Sequence, residues 1–133
     1  MSTHWNLKLG KLLKASQNHT FEAFSQDGLN KFSVRVTPDP QKVKGQKIQD
    51  EIFFVNYCIK SELKHLVCPI PPLKSADNSL ILVHDNLIIV VFEWARGSLL
   101  NFMEFKWMKD KAVINAWGRF FGQMHQISRK FSH

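Results

Sequence analysis

Leu80–Gly97, LILVHDNLIIVVFEWARG, is the stretch whose reading decides the fold. Two apolar runs, Leu80–Val83 and Leu87–Phe92, flank the pair Asp85-Asn86. Buried strands around a turn-forming dipeptide predict a β-hairpin. The second run passes directly into Glu93-Trp94-Ala95-Arg96-Gly97. A core strand that ends in an open, glycine-terminated segment is placed to offer backbone N–H and C=O groups to a flat ligand.

Upstream, three further strands are expected. Gly10–Ser16 (GKLLKAS) forms the first, and Ser16-Gln17-Asn18 turns the chain. His19–Ser25 (HTFEAFS) forms the second. Gln26–Asn30 is a loop carrying the hairpin signal Asp27-Gly28. Lys31–Thr37 (KFSVRVT) alternates strictly, with Phe32, Val34 and Val36 on one face and Ser33, Arg35 and Thr37 on the other. Pro38-Asp39-Pro40 stops that strand.

Val43 to about Leu63 predicts a helix, because Ile48, Ile52, Val55 and Ile59 recur at helical spacing. Cys68–Pro72 is extended and rigid, and Lys74–Ser79 is a loop. After the central hairpin, Ser98–Lys106 is read as a short helix and Lys109 to about Phe131 as a long one. The long helix carries two adjacent apolar stripes. Val113, Trp117, Phe120, Met124, Ile127 and Phe131 make one; Ile114, Gly118, Phe121, Gly122 and His125 make the other. Together they cover roughly half the circumference, more than one small sheet uses. That width predicts a further partner for the helix, either more chain or another subunit. His125 is expected as a hydrogen-bonded core histidine. The order of elements is that of an α+β fold with an antiparallel sheet of about five strands.

Composition excludes several classes. The 133 residues suffice for one domain with a real core. The net charge of +7 suits an anionic partner. The lysines are dispersed rather than blocked into an arm, and no aromatic-basic stripe marks a nucleic-acid surface. The two cysteines, Cys58 and Cys68, make neither a metal spacing nor a framework, so a reducing, cytoplasmic setting is expected. The N-terminus lacks the apolar core of a signal peptide. No run approaches the roughly 18 apolar residues that span a bilayer. His4, His19, His65 and His133 form no metal pair, and no metal ligand is assigned to this chain.

Six pieces in this order carry a resemblance: LKASQNHTF, KFSVRV, IQDEIFFVNYC, LVCPIPP, VVFEWARG and GRFFGQMHQIS. From about Leu12 to about Phe131 the chain resembles the N-terminal lobe of the aminoglycoside phosphotransferase family, which includes choline-kinase-like and homoserine-kinase-like small-molecule kinases. The resemblance implies a kinase-like N-lobe over residues 1–95, with a hinge exit and the start of a helical C-lobe over 96–133. It implies an ATP site in which the turn Ser16–Thr20, including Ser16 and Asn18, covers the triphosphate. Arg35 would hold phosphate oxygens, and Glu51 would be its helix partner. The Glu93, Trp94 and Ala95 backbone would take the adenine. His84-Asp85-Asn86 is superficially similar to a kinase catalytic triplet, but two strand-like runs enclose it, so a hairpin turn is expected.

Departures from the family pattern matter as much. The turn SQNHT has no glycine, and Arg35 stands where kinases usually carry lysine, which is not a conservative change. The catalytic aspartate loop and the metal-binding aspartate motif would lie beyond residue 133. Mg2+ would be held only with that missing half, and the chain alone is expected to be inactive. Plainer readings stay open at this point. Arg35 is also what a solvent-facing strand position looks like, and Glu51 can pair with Lys47 on its own helix. The alternative to a phosphotransferase is a stand-alone kinase-like module that self-associates through its last helix.

Overall fold

The computed structural model describes residues 2–61, 74–96 and 102–131. The strands are β1 (Leu7–Ala15), β2 (His19–Ser25), β3 (Lys31–Pro38), β4 (Leu82–His84) and β5 (Leu87–Glu93). The α-helices are α1 (Ser2–Trp5), α2 (Gly45–Lys60) and α3 (Lys111–Lys130). All five strands join one antiparallel sheet in the order β1-β2-β3-β5-β4. Asp85-Asn86 makes the expected turn, with Asp85 at a left-handed φ of 51°.

β5 explains why its sequence is apolar without alternation: both of its faces are covered. On one face Ile89 and Val91 pack with Val34, Ala23, Leu7 and Trp5, and Phe21, Phe32, Val36 and Leu82 join them. On the other face Ile88 and Val90 pack against Ile48 and Ile52 of α2. So the helix predicted after β3 braces the sheet, and it does so through the isoleucines that set its period.

The loop between β3 and α2 is held by one carboxylate. Asp39 is buried, and its oxygens accept from the Val43 and Lys44 backbone N–H groups at 3.0 and 3.1 Å. Its own N–H donates to Asn86 C=O at 2.7 Å, which ties the loop to the β4–β5 turn.

Several boundaries differ from expectation. β1 begins at Leu7, three residues before Gly10. Trp5 and Leu7 enter the core, so the N-terminal segment is part of the fold. Pro38 is still paired, with Leu87. α2 begins at Gly45, leaving Val43 exposed before it. The described part of the 98–106 segment holds two 3-10 turns, Phe102–Glu104 and Lys106–Lys109, in place of a short α-helix. The Cys68–Pro72 stretch, Leu63, Gly97 and Ser98–Asn101 lie outside the described residues.

The chain divides into two compact units, Met1–Asn56 with Ile70–Trp94, and Tyr57–Pro69 with Ala95–His133. The first contains the sheet. In the second, Asp110 caps α3 by accepting from the Ala112 and Val113 N–H groups. Trp107 meets Trp117 edge-on at 5.3 Å, and Trp117 stacks on Phe121 at 6.1 Å. Cys58 is buried there, and burial pushes its thiol pKa up. His125 is exposed, which overturns the expected core histidine: the second apolar stripe is not covered at that point. Among the described residues no helix is long and apolar enough to cross a membrane.

Candidate functional site

Strand parity aims Arg35 away from Val34 and Val36, onto the face that α2 covers. Glu51 precedes Ile52, whose packing on the sheet fixes the rotation of α2. The two side chains meet as a fork. Arg35 Nη1 donates to Glu51 Oε1 at 2.8 Å, and Nη2 to Oε2 at 3.0 Å. The pair is partly solvated, with side-chain exposures of 21% and 46%. It therefore adds on the order of 1 kcal/mol or less to stability.

Arginine has five N–H donors, and Glu51 occupies the end of the guanidinium. The side edge remains. Arg35 Nε is buried and has no hydrogen-bond partner among the described residues. A buried donor without an acceptor is costly, so this edge suits an anionic oxygen. The guanidinium carbon also lies 5.3 Å from the Phe92 ring.

The sheet register extends this position sideways. Lys14 pairs with Thr20, Thr20 with Arg35, and Arg35 with Val90. Residues directly opposed across antiparallel strands project to the same face. The turn after β1 closes at the same end of the sheet. Ser16 N–H donates to Asn18 C=O at 3.0 Å, so that amide is spent on the turn itself. Ser16 is exposed and Asn18 half-buried.

Glu93 pairs with Phe32, three residues and about 10 Å along β3 from Arg35. Glu93 and Trp94 are exposed residues at the end of β5. Ala95 and Arg96 belong to the second unit and are exposed as well. Trp94 is anchored by a group that the motif reading passed over. Lys31 Nζ stands 3.9 Å from the Trp94 ring centroid, 5.8 Å from that of Phe24, and 3.2 Å from Glu22 Oε2. Burial alone would raise the Glu22 pKa. The Lys31 hydrogen bond, the Lys11 N–H and both lysine charges outweigh it and hold the carboxyl below its ordinary range. Gly10 belongs to the same cluster, since a Cβ there would lie 2.5 Å from Glu22 Cγ. Lys31 sits at i−4 from Arg35 on an alternating strand, and that parity was the available signal.

These groups can hold a polyanion joined to a flat ring: a guanidinium and a lysine at one end, the exposed strand end Glu93-Trp94 beside aromatic groups at the other. Among the described residues no three His, Cys, Asp or Glu side chains gather as metal ligands. A separate cavity of about 620 Å³ in the second unit is lined by Tyr57, Lys60, Arg129 and Lys130, among others. Its cations stand in the last turns of α2 and α3, where they complement the helix dipoles without any ligand.

No protein-family model matches the chain, and no curated protein does. Among solved structures the chain is similar to a spectinomycin phosphotransferase in complex with ADP and spectinomycin. The TM-score is 0.51 at 9% identity, over 73% of this chain and 28% of that one. At that identity the likeness is one of fold. The fold is a kinase-like N-terminal lobe. The lobe spans little more than a quarter of the phosphotransferase that it matches.

Proposed function

We propose that this chain is the ATP-binding N-terminal part of a phosphotransferase that moves the γ-phosphoryl group to a hydroxyl of a small molecule. The observation that carries this reading is the Arg35–Glu51 fork, which leaves the buried Arg35 Nε without a partner among the described residues. The similar phosphotransferase is an ADP and spectinomycin complex, which supports a nucleotide and a small-molecule acceptor.

In this reading Glu51 orients Arg35, and the guanidinium donors that Glu51 does not take bind phosphate oxygens. An arginine serves both partners at once, which a lysine does less well. Ser16 and Asn18 shape the turn over the triphosphate. The backbone of Glu93 and Trp94 binds the purine edge. Mg2+ would neutralise the β- and γ-oxygens once the remaining carboxylates are supplied. Residues 98–133 contain one aspartate, Asp110, and it is engaged in capping α3. In this reading the catalytic base and metal ligands are supplied from outside these 133 residues, and the chain alone binds ATP without transferring phosphate.

Calorimetric titration tests this. Saturable ATP binding that Arg35→Ala abolishes is the expected result. A wild-type chain that never saturates would sink the nucleotide reading. Steady phosphate transfer by the 133 residues alone would sink the division of labour.

A second reading rests on α3. Ile114, Phe120 and Phe121 are exposed on a helix already lined by Trp117. An interaction module that self-associates through this helix would show a dimer in sedimentation equilibrium, and Phe121→Ser would dissociate it.

A further inference from the structure

We infer that Lys14 is a second phosphate-binding residue, contacting the terminal phosphates of the nucleotide held by Arg35; this rests on the nucleotide reading above. The sheet register carries it. Lys14 pairs with Thr20 and Thr20 with Arg35, and a bulge in β1 between Leu12 and Lys14 resets the register just before this row. Neighbouring strands are about 4.8 Å apart, so the outer two Cα atoms are about 10 Å apart, with a hydroxyl between them. The flexible lysine stem folds back across that distance. Lys14 also lies at the turn end of β1, next to the residues that would cover a triphosphate.

The cations of this face differ in what stands beside them. Arg35 is offset by Glu51, and Lys31 by Glu22. Lys8 donates to Gln26 C=O at 2.8 Å, and Lys11 lies beside Glu22, whose carboxyl its charge helps keep ionised. Lys14 is exposed and has neither a hydrogen bond nor an ion pair from its ammonium among the described residues. Without it, the cross-strand set Lys14, Thr20 and Arg35 would keep only the Arg35 charge, which Glu51 offsets. β1 is an edge strand, and an edge lysine also deters pairing with other chains. That duty does not depend on which face the side chain takes, and Lys8 and Lys11 already perform it.

The experiment titrates ATP and adenosine into the full chain, its Lys14→Met variant and its Lys14→Arg variant, at one salt concentration. Thermal melts monitor the fold. Lys14→Met is expected to weaken ATP about tenfold, the scale of one charge-assisted contact. Lys14→Arg should retain ATP affinity, and adenosine should bind all three proteins alike. Unchanged ATP affinity in Lys14→Met overturns the assignment and leaves the nucleotide reading standing. Equal losses for ATP and adenosine also overturn it, because they report a structural effect. A wild-type chain that binds neither overturns both.

Discussion

The two units of the chain treat apolar side chains differently. In the sheet unit, Ile88, Val90 and Val91 of β5 are 2%, 1% and 0% exposed, because α2 covers one side of the strand and Trp5 with the side chains of neighbouring strands covers the other. In the other unit, α3 is as rich in large apolar groups, yet among its described residues Ile127 alone is buried. Phe121 stays 52% exposed. Removing apolar area from water contributes roughly 25 cal/mol per Å², so stability concentrates where both faces are covered. The sheet unit holds a rigid frame on which Arg35 can be aimed. The α3 surface is material for contact.

The sharpest way to break this comparison is to truncate one side chain in each unit. Ile52→Ala should cost about 2–5 kcal/mol, read as a lower urea midpoint. Phe121→Ala should stay within about 0.5 kcal/mol. Similar losses would mean that α3 is packed as tightly as the sheet. Asp39→Ala comes next, because it orphans the Val43 and Lys44 amides beside the β4–β5 turn. A loss of about 1–3 kcal/mol is expected from equilibrium unfolding. In the second unit, Asp110→Ala removes a cap worth about 1 kcal/mol, visible as reduced helical circular dichroism.

The smallest effect is acid dependence. The folded Glu22 carboxyl titrates below its ordinary value of 4.5. A depressed folded pKa gives a contribution that is present above the unfolded value and lost as pH falls through the folded one. Stability of the sheet unit should therefore decline as pH drops below about 4.5, and Glu22→Gln should flatten that decline. A steeper slope in the variant would show that Glu22 is not held ionised by its lysines.

Local chemistry accounts for how much of this could be read from residues. β2 was legible to the residue because turn clusters bound HTFEAFS on both sides. The central hairpin and the helix on the sheet followed from the turn pair and the isoleucine spacing. The Arg35–Glu51 contact followed from a family pattern that left Lys47 as an alternative; the fork decides for Arg35. The start of β1 was not legible, because Gly10 marks a close approach by Glu22 on a neighbouring strand. The Lys31 anchor depends on where Trp94 turns after β5, which alternation cannot state. His125 shows the limit of periodicity. It tells which residues share a helix face, and not whether anything lies over that face.

Cys58 turns one of these features into a clock. Its thiol is 1% exposed, and burial disfavours the thiolate, the form that reacts. An alkylating reagent can modify it only during excursions that uncover this last turn of α2. In a Cys68→Ser background, the native-state labelling rate would therefore time that uncovering directly, at a point three residues before the described part of the helix segment ends at Ser61.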